Sequence, residues 1–385
     1  MAHIAILLQE FFPADVRVRK EVNALTQSGH SIDLFCLQGH GETLYEVING
    51  VRVHRTPLSK KRGSKLRYIL EYFIFFMRAR TWLRKLVKQK KVDIVHVHTL
   101  PDFLVFAAAP AKRKGARVIL DMHEITPEFF MSKYNMPAGN PLIGLLRWAE
   151  RKSLEYADHV ITVNKQLQGL FFDRAKLKND IVILLNTVDD DELPRVPKQP
   201  QKKRIGIYHG TLTALYNLEF AVRAMKKIEK ELSGFEFHIY GSGTQSEELA
   251  QLIVSLQMGH IVFLKGRVSH TEIPDILSRS DIGILPMRKD VMTDLSFSNK
   301  IAEYVHCSIP VLSSNLTGIR EYLPPDTIRY YQHNDENDFN KNLLEMIRNY
   351  EKSREYAARA MAVYEKMNWG IMKKRLLELV SGIKS

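Results

Sequence analysis

The fold is decided by residues 204–243, which read RIGIYHGTLTALYNLEFAVRAMKKIEKELSGFEFHIYGSG. Two short apolar runs flank an amphipathic segment, and each run ends in a loop that contains glycine. This order predicts strand, helix and strand, a β-α-β unit whose two strands run parallel. A third apolar run, followed by Gly266 and Arg267, continues the pattern. Because glycine lets a backbone approach a ligand closely, the three loops predict a ligand at the carboxyl ends of these strands.

The alternation of strands and helices occurs twice along the 385 residues. Between the two series lies a polar stretch with three prolines, an acidic triplet and a lysine-rich run, which is typical of a linker. We therefore predict an α/β protein with two Rossmann-like domains, at residues 1–187 and 204–364, joined by a linker at residues 188–203. A tail at residues 365–385 is expected to pack back on the first domain.

The composition favours an anionic partner. Lys and Arg (56) exceed Asp and Glu (43) by 13, which suits nucleic acid, an anionic membrane or a phosphorylated substrate. The two cysteines, Cys36 and Cys307, lie far apart in apolar surroundings, so they predict neither a disulfide framework nor a metal cluster. A reducing cytoplasm is the expected compartment. No apolar segment reaches the ~20 residues that a membrane-spanning helix needs.

Positive charge is concentrated in residues 59–91, which hold twelve Lys and Arg but a single acid, Glu71. These cations surround the apolar residues 68–70 and 72–77. Two interpretations remain open: a helix buried against the sheet with a solvated basic face, or a surface that lies on an anionic membrane. Each basic residue near such a membrane contributes about 1 kcal/mol, which favours reversible contact. The aromatics form one block and are not interleaved with the cations, which disfavours nucleic-acid binding.

A second polar concentration lies at residues 296–321, SFSNKIAEYVHCSIPVLSSNLTGIRE. It predicts a short amphipathic helix, a buried strand and the start of another helix near Thr317 and Gly318. Lys300 and Glu303 lie three residues apart on one flank of the first helix. A helix N-terminus offers free N–H groups and a partial positive charge, so this stretch predicts a site for an anion such as phosphate.

The first helix of the chain has an unusual charge pattern at its start. Asp15 is a good N-cap, and Arg17, Arg19 and Lys20 follow in the first turn. Each cation at the positive end of a helix is unfavourable by roughly 0.3–1 kcal/mol. These cations are therefore either solvated or compensated by an anion.

Two further strands of the first half end in ionisable residues. His98 closes one of them, and the alternation of side chains puts His96 on the same side. No third ligand with fitting spacing follows, so a metal pair is disfavoured. The next strand ends in DMHE at residues 121–124, with Glu128 close behind. Ionisable groups at this position predict a functional site, although His123 could instead only cap a neighbouring loop.

These motifs resemble those of the GT-B glycosyltransferases, specifically the retaining family 4. The resemblance rests on SNKIAEYVHCSIPVLSSNLTGIREYL and GRVSHTEIPDILSRSDIGILP in the second half, and on DIVHVH and DMHEITPE in the first. It covers essentially the whole chain. It implies two Rossmann-like domains that face each other across a cleft, with the nucleotide-sugar in the C-terminal domain and the acceptor in the N-terminal one. It implies no tightly bound metal and no cofactor, since the nucleotide-sugar is a substrate.

The resemblance also assigns roles to individual residues of the second half. Glu303 matches the carboxylate that holds the ribose hydroxyls, and Lys300 with Arg267 would neutralise the diphosphate. The predicted nucleotide-sugar site is completed by residues of the strand-end loops and helix starts: Gly210, Thr211, Gly241, Gly243, Asn299, Thr317 and Gly318.

In the first half, the resemblance identifies His123 as the histidine that meets the donor sugar near the reacting carbon. The predicted catalytic group combines both halves: His123, Glu124, Arg267 and Lys300. Asp15 and Arg17 match a D-x-R loop that some members carry. The predicted acceptor-binding group follows from this loop and from the strand ends: Asp15, Arg17, His98 and Glu128.

The chain departs from the family pattern at two places. The family usually has two glutamates with seven residues between them, and counting back from Glu303 reaches Leu295, which cannot hydrogen-bond a sugar. Asp294 or Asp290 could substitute for the missing carboxylate. The loop after Gly210 also lacks the Arg and Lys pair that is common in the family. Neutralisation of the phosphates then depends more heavily on the two cations named above.

We therefore predict a retaining glycosyltransferase that moves a sugar from a UDP- or GDP-sugar to a lipid-linked or cell-surface glycan acceptor. It is expected to be cytoplasmic and peripheral on the inner face of the membrane, with the basic segment at residues 59–91 against anionic lipid. Two alternatives remain: a UDP-sugar 2-epimerase of the same fold, which would need several carboxylates near the sugar, and a weakly active or inactive relative.

Overall fold

The computed structural model describes residues 1–58, 65–199 and 201–383, and side chains from residue 70 onward in the helix that begins at residue 65. The chain forms two compact units. The first consists of Met1–Leu185 together with Ile371–Ser385, and the second of Asn186–Gly370. The stretch predicted as a linker, residues 188–203, therefore belongs to the second unit. Each unit is built around its own sheet.

The first unit has an eight-stranded sheet in the order β3-β4-β2-β1-β5-β6-β7-β8, in which only β3 runs antiparallel to its neighbour. Its strands are β1 (His3–Phe11), β2 (Ser31–Leu37), β3 (Tyr45–Ile48), β4 (Val51–Thr56), β5 (Ile94–His98), β6 (Arg117–Met122), β7 (His159–Thr162) and β8 (Ile181–Ile183). The central strands are buried on both faces, as expected for a parallel sheet covered by helices.

The helices of this unit follow the strands in alternation. They are α1 (Val16–Gln27), α2 (Lys65–Gln89), α3 (Ala109–Lys112), α4 (Thr126–Tyr134), α5 (Pro141–Tyr156) and α6 (Lys165–Arg174), with a 3-10 helix at Asp102–Ala108. The Asp15 side chain accepts a hydrogen bond from the Val18 N–H (3.0 Å), which confirms that this residue caps α1. The 3-10 helix leads directly into the short α3.

The second unit has a six-stranded, all-parallel sheet in the order β11-β10-β9-β12-β13-β14. Its strands are β9 (Arg204–His209), β10 (Phe235–Tyr240), β11 (Val262–Gly266), β12 (Ile282–Leu285), β13 (Val311–Ser314) and β14 (Arg329–Tyr331). Its helices are α7 (Leu218–Lys227), α8 (Ser246–Ser255), α9 (Ile273–Ser278), α10 (Asn299–His306), α11 (Thr317–Arg320), α12 (Glu336–Arg348) and α13 (Tyr350–Tyr364). Buried residues recur every three or four positions in α7, which packs this face on the core.

The last helix, α14 (Trp369–Gly382), contributes to the first unit. Its buried residues are Met372, Leu376 and Val380, and the Leu185 N–H contacts the Met372 sulfur at 3.2 Å. Among the residues that the structure describes, no helix combines the length and the apolar composition of a membrane span.

In both sheets the strand order reverses at one point. The chain first adds strands on one side of the starting strand and then continues on its other side. In the first sheet this occurs between β1 and β5, and in the second between β9 and β12. Loops after these strands diverge to opposite sides and leave a crevice at the carboxyl edge, the usual ligand site of such sheets. The candidate site residues of each unit are therefore expected at the carboxyl edge of its sheet.

The glycine loops of the second unit pack tightly on each other. Gly210 and Gly241 both have positive φ angles (+124° and +140°), and a Cβ atom on Gly241 would lie 1.8 Å from the Gly210 carbonyl oxygen. A Cβ atom on Gly243 would lie 2.1 Å from the Leu212 carbonyl oxygen. These glycines are therefore required for contact between the loops after β9 and β10, before any ligand is considered.

Replacing Gly241 with alanine should destabilise the protein without any ligand present, by about 1–3 kcal/mol, because the methyl group overlaps a backbone atom. Urea unfolding measures the change. Gly259→Ala is the matched control, since a Cβ atom there meets nothing within 4 Å. Equal stability of Gly241→Ala and the wild type would contradict this packing role.

Candidate functional site

Lys300 is a buried cation at the carboxyl edge of the second sheet. It lies in the first turn of α10 and is 9% exposed. Its Nζ atom lies over the rings of Tyr216 (3.9 Å to the centroid) and Tyr208 (5.4 Å). Its methylene chain passes so close to Gly210 that a Cβ atom there would lie 2.5 Å from the Lys300 Cε. Among the described residues, no carboxylate lies within ion-pair distance of its Nζ atom, which rests on aromatic faces, and the Glu303 carboxylate one turn away interacts with it at longer range.

Glu303 lies one turn further along α10 and faces the end of β9. Its Oε2 atom is 3.0 Å from the Nε2 atom of His209, the last residue of that strand. Burial opposes ionisation of Glu303, but His209, Lys300 and His270 outweigh it, so the pKa of this carboxyl lies below its usual value. The structure therefore brings the Glu303 carboxylate close to Lys300, to His209 and to the Gly210 loop.

The N-terminus of α11 does not offer the open amide that the sequence predicts. The Thr317 N–H donates to Asp294 Oδ1 (2.9 Å), and the Thr317 hydroxyl donates to Asp294 Oδ2 (3.0 Å). The Thr317 amide, predicted as part of the nucleotide-sugar site, is therefore already bonded to a carboxylate of the same unit. Gly318 packs against the preceding turn, since a Cβ atom there would lie 2.6 Å from the Ser296 carbonyl oxygen.

The remaining predicted donor-site residues lie on loops and helix starts of the second unit. Arg267 is exposed directly after β11, and Asn299 is exposed at the first position of α10. The N-cap residue of α10, Ser298, forms no side-chain capping bond to the helix. Thr211 is exposed in the loop after β9, where its carbonyl oxygen accepts a hydrogen bond from the Tyr208 hydroxyl (2.8 Å).

In the first unit, Arg17 is the centre of a buried ion-pair cluster. Its guanidinium donates to both carboxylate oxygens of Asp121 (3.0 and 3.1 Å) and to the Leu184 carbonyl oxygen (2.9 Å). Its Nε atom lies 3.2 Å from Glu21, one helical turn further along α1. The anion that the charge pattern of α1 requires is thus supplied from within the unit. Arg17 is buried, so we do not expect it to contact an acceptor directly.

Three histidines surround the other side of Asp121. His98 Nδ1 lies 3.4 Å and His123 Nε2 3.3 Å from Asp121 Oδ2, and the two ring nitrogens are 3.1 Å apart. The ring of His96 lies beside that of His98, with centroids 4.3 Å apart, which confirms that both point to one side of β5. His98 is fully buried, whereas His123 is partly exposed. His123 is therefore the member of this group that a ligand can reach.

The protonation states in the cluster follow from burial and from the Arg17 charge. Burial lowers the pKa of both His96 and His98, which favours their neutral forms. Burial also opposes ionisation of Asp121, but Arg17 and His123 outweigh it and hold its pKa well below the usual value. Burial raises the pKa of Glu21 well above normal, which favours its protonated form. His96, His98 and Glu21 are thus uncharged beside one compensated ion pair, which Arg17 forms with Asp121.

Four of these residues could in principle hold a metal ion. Ligand atoms of Glu21, His96, His98 and Asp121 lie within 4.8 Å of one another. Arg17 bonds to both carboxylates, so a metal ion would have to share them with a guanidinium. Such an arrangement fits a salt-bridge network better than a dedicated metal site.

The carboxylates of three predicted site residues, Asp15, Glu124 and Glu128, differ in whether contacts within the unit occupy them. The Asp15 carboxylate caps α1, and Glu124 is exposed next to His123. Glu128 is buried and accepts two hydrogen bonds from Arg174 (2.6 and 3.2 Å), so its carboxylate is occupied within the unit. Of the predicted acceptor group, Arg17, His98 and Glu128 therefore serve to hold the structure around His123, and Asp15 holds the helix start.

Three residues of these clusters were not predicted from the sequence. Glu21 could have been found, because it lies four residues after Arg17 on the same helix. His209 ends a strand before a glycine loop, but its pairing with Glu303 depends on contact between β9 and α10. Tyr216 gave no signal, since its ring acts only through its position next to Lys300.

Comparison with known families agrees with this architecture. The family described as Glycosyl transferase 4-like domain matches residues 14–186, and the family described as Glycosyl transferases group 1 matches residues 189–362. The chain belongs to the GT-B glycosyltransferases of the family-4-like type. This confirms the predicted family and the α/β fold class with two Rossmann-like domains.

Among the relatives of this glycosyltransferase is the phosphatidylinositol N-acetylglucosaminyltransferase GPI3 subunit of Saccharomyces cerevisiae. It is 22% identical over an alignment that covers 100% of this chain and 83% of the relative. The glycogen synthase of Mycobacterium tuberculosis is also 22% identical, over 77% of this chain and 73% of the relative. At these identities the relatives support glycosyl transfer but leave the sugar and the acceptor of this glycosyltransferase open.

Solved structures show the same fold. The sucrose-phosphate synthase of Thermosynechococcus elongatus has a TM-score of 0.79 at 16% identity, covering 100% of this chain and 99% of that chain. HepE of Anabaena, solved in complex with UDP-glucose, has a TM-score of 0.74 at 14% identity, with 99% and 100% coverage. Both are similar to this glycosyltransferase in fold.

Arg17→Met should lower the free energy of unfolding by about 3–5 kcal/mol, because it leaves the buried Asp121 carboxylate without its cation. Denaturant unfolding measures the loss. The pKa of Asp121 is lowered in the folded wild type, so the ion pair stabilises the protein above the unfolded pKa of about 4. The difference between variant and wild type should therefore shrink as the pH falls below about 4.

Arg19→Met, two residues away on the same helix, is the matched control, since Arg19 is less buried and donates to the Pro13 carbonyl oxygen. It should cost less than about 1 kcal/mol. Equal losses for both variants would mean that the buried pair with Asp121 has no special role.

Proposed function

We propose that this protein is a retaining glycosyltransferase that uses a nucleoside diphosphate sugar, a UDP- or GDP-sugar, and transfers the sugar to a lipid-linked or cell-surface glycan acceptor. The second unit binds the donor and the first unit binds the acceptor. The family and the fold support glycosyl transfer, and the site residues support the choice of donor. The name of the yeast relative, which refers to a phosphatidylinositol acceptor, supports a lipid-linked acceptor.

The observation that carries the donor proposal is that no carboxylate among the described residues lies within ion-pair distance of the Lys300 ammonium group. A buried ammonium group that has no carboxylate partner among the described residues is costly, and an anion beside it removes that cost. Lys300 adjoins the Gly210 loop, at the edge where a phosphate-bearing ligand is expected. We assign the diphosphate to this place, with the exposed Arg267 as the second cation.

The ribose is assigned to Glu303. A carboxylate has two oxygens that accept hydrogen bonds, which suits the two adjacent hydroxyls of a ribose. The lowered pKa of Glu303 keeps it in the accepting, ionised form. Ribose and diphosphate are joined by one carbon, which matches the spacing of Glu303 and Lys300 on one flank of α10.

In the proposed reaction the bond between the anomeric carbon and the diphosphate breaks, and its electron pair moves to the phosphate oxygen. The acceptor hydroxyl attacks the same face of the sugar, and its proton passes to the departing diphosphate. Lys300 and Arg267 stabilise the charge that develops on the leaving group, which is the main contribution expected of the protein. His123, held by Asp121 and His98, is assigned to contact with the sugar, with Glu124 beside it.

The structure does not favour the epimerase alternative. That reaction needs acid and base carboxylates near the sugar, and Asp294 and Asp290 were the candidates to replace the residue missing at Leu295. The Asp294 carboxylate accepts from Thr317, and Asp290 Oδ1 accepts from the N–H groups of Met292 and Thr293 (both 2.9 Å). Both carboxylates therefore hold the local backbone.

We also propose that the first unit contacts an anionic membrane on its cytoplasmic side, through α2 and α5. Part of the basic segment, residues 59–64, lies outside the described residues, and so do the side chains of residues 65–69. The described part of α2 buries Phe75, Ala79 and Leu83 against the core. It therefore has a packed face and, opposite to it, an exposed one.

The exposed face of α2 is apolar in its first half. Leu70, Phe73 and Met77 are 46–56% exposed and share one side of the helix by their spacing. On α5, Leu145 and Trp148 are 57% and 53% exposed. We call these five residues the apolar rim. Large apolar side chains in such exposed groups are typical of contact surfaces.

Both helices place the rim at the carboxyl edge of the first sheet. α2 precedes β5 and α5 precedes β7, and both strands are parallel to their neighbours. Each helix therefore begins at the carboxyl edge of the sheet and runs back to the amino edge. Both helices also pack on the 3-10 helix Asp102–Ala108, through Phe76 with Phe103 and Tyr156 with Phe106. The rim thus lies on the same edge as His123.

Exposed cations accompany the apolar rim. They are Arg78 on α2 and Arg147 and Arg151 on α5, and further cations follow along α2. Apolar tips flanked by Arg and Lys suit the boundary between headgroups and acyl chains of an anionic bilayer. Insertion of the rim would bring a lipid-linked acceptor to the edge that carries His123.

The donor proposal predicts that UDP or GDP raises the thermal midpoint of unfolding, because a ligand that binds only the native state stabilises it. Lys300→Met should weaken binding of the diphosphate about 10–100-fold, the loss of a charge-assisted hydrogen bond. It should leave binding of the uncharged nucleoside nearly unchanged, whereas Glu303→Gln should weaken both ligands. Calorimetric titration measures these affinities.

Lys230→Met, an exposed lysine elsewhere in the second unit, is the control and should bind like the wild type. If no nucleoside diphosphate shifts the midpoint, the assignment of a nucleotide-sugar donor is wrong. If Lys300→Met weakens nucleoside and diphosphate equally, Lys300 does not meet the phosphates.

The membrane proposal predicts flotation with anionic liposomes, weakened by high salt because screening reduces the attraction of the cations. A variant in which Phe73, Met77, Leu145 and Trp148 are all changed to glutamine should show at least a threefold smaller fraction of protein recovered with the liposomes. Each apolar side chain contributes up to roughly 1.5–3 kcal/mol when it leaves water. Co-flotation at low and high salt measures the effect.

Val254→Gln is the control, since Val254 is 76% exposed on α8 of the second unit and does not belong to the rim. It should float like the wild type. Equal recovery with neutral and anionic vesicles, or undiminished recovery of the rim variant, would refute the membrane surface.

A further inference from the structure

The contact between His209 and Glu303 has a geometry that bears on ligand binding. His209 ends β9, the strand at which the strand order of the second sheet reverses. Its Nε2 atom lies 3.0 Å from Glu303 Oε2, which is an ion-pair distance, although the two atoms are not aligned as a hydrogen bond. The contact joins a strand to a helix that follows ninety residues later, and it lies beside the Gly210 loop and Lys300. His209 is buried, whereas the Glu303 side chain retains partial exposure.

The imidazole ring of His209 is itself held in place. It packs edge to face on the fully buried ring of Tyr304, with centroids 5.4 Å apart and planes at 81°. The Tyr304 hydroxyl in turn contacts the Ile207 carbonyl oxygen of β9 at 3.4 Å. Because the ring cannot turn away without disturbing this packing, its Nε2 atom provides a fixed point for the Glu303 carboxylate.

We infer that His209 is a positioning residue: it holds Oε2 of Glu303 and so directs Oε1 toward the ribose hydroxyls of the bound nucleotide. This inference rests on the proposed function, in which Glu303 binds the ribose. A glutamate side chain has several rotatable bonds, and fixing it before the ligand arrives reduces the entropy that binding must overcome. His209 therefore contributes to affinity without touching the ligand.

The charges around the pair agree with this role. Lys300 on the same helix and His270, which begins a 3-10 turn between β11 and α9, both favour the ionised form of Glu303, as does His209. Neither Lys300 nor His270 lies within ion-pair distance of Glu303 in the described part of the chain, whereas His209 does. His209 is thus the partner that fixes the direction of the carboxylate as well as its charge.

The test compares UDP with 2′-deoxy-UDP, and GDP with 2′-deoxy-GDP, by calorimetric titration. The wild type should bind one of these two ribonucleotides about tenfold more tightly than its 2′-deoxy form. This is the discrimination expected from one hydrogen bond to a charged group. His209→Phe keeps a ring against Tyr304 but removes the nitrogen. It should lose most of this preference, by weakening the ribonucleotide about tenfold and leaving the deoxyribonucleotide within twofold.

His209→Gln restores an N–H donor near the Nε2 position and should retain most of the preference, which a merely structural role would not produce. In a Glu303→Gln background, His209→Phe should change ribonucleotide affinity less than twofold, since the carboxylate it positions is gone. Thermal midpoints without nucleotide establish that each variant is folded. If His209→Phe is unstable, the comparison of His209→Gln with His209→Ala takes its place.

Two outcomes would overturn the inference alone: His209→Phe with the full preference of the wild type, or His209→Gln with as large a loss as His209→Phe. A wild type that binds the nucleoside diphosphate but does not distinguish ribose from deoxyribose would overturn it together with the ribose assignment of Glu303. A wild type that binds none of the four nucleotides would instead reject the donor proposal from which both follow.

Discussion

The parallel order of the two sheets is the constraint on which the rest of the structure depends. A parallel strand can be reached only by a connection that returns to the opposite edge, so the carboxyl ends of all parallel strands share one edge. At that edge the loops carry the polar residues. The reversal of strand order between β1 and β5 and between β9 and β12 keeps neighbouring loops apart. The Asp121 cluster and the Lys300 site both occupy this edge of their units, although their residues are far apart in sequence.

The two sites differ in how their charges are compensated. In the first unit, the Arg17 guanidinium meets the Asp121 carboxylate, and burial favours the neutral forms of His96 and His98. This cluster is complete without a ligand and holds His123 in place. In the second unit, Lys300 lies against aromatic rings, and the carboxylate of Glu303 is turned to His209. An added anion stabilises a cation that has no carboxylate within ion-pair distance, which supports the proposal that the second unit binds the donor.

The fold could be predicted from the sequence to a large extent because its signals are local. Apolar runs, glycine loops and amphipathic segments located most strands and helices, and the strand, helix and strand predicted over residues 204–243 are β9, α7 and β10. The partners of the site residues could not be predicted, because they come from distant parts of the chain. Asp121 lies 104 residues from Arg17, and Thr317 lies 23 residues from the Asp294 carboxylate that occupies its amide. Residue type indicated that these positions were polar sites, but only the packing of elements decides which polar groups remain free.

The place of Leu295 shows how such packing changes the chemistry of a site. The family pattern has a carboxylate at this position, and here the carboxylate stands one residue earlier, at Asp294. There it accepts two hydrogen bonds from Thr317 and fixes the turn against α11, whose Gly318 fits closely under the same turn. The carboxylate nearest to this position thus makes its contacts within the protein. Under the proposed function, recognition of the donor then depends mainly on its ribose and diphosphate, and we expect Glu303 and Lys300 to carry more of the affinity than in a member with both carboxylates.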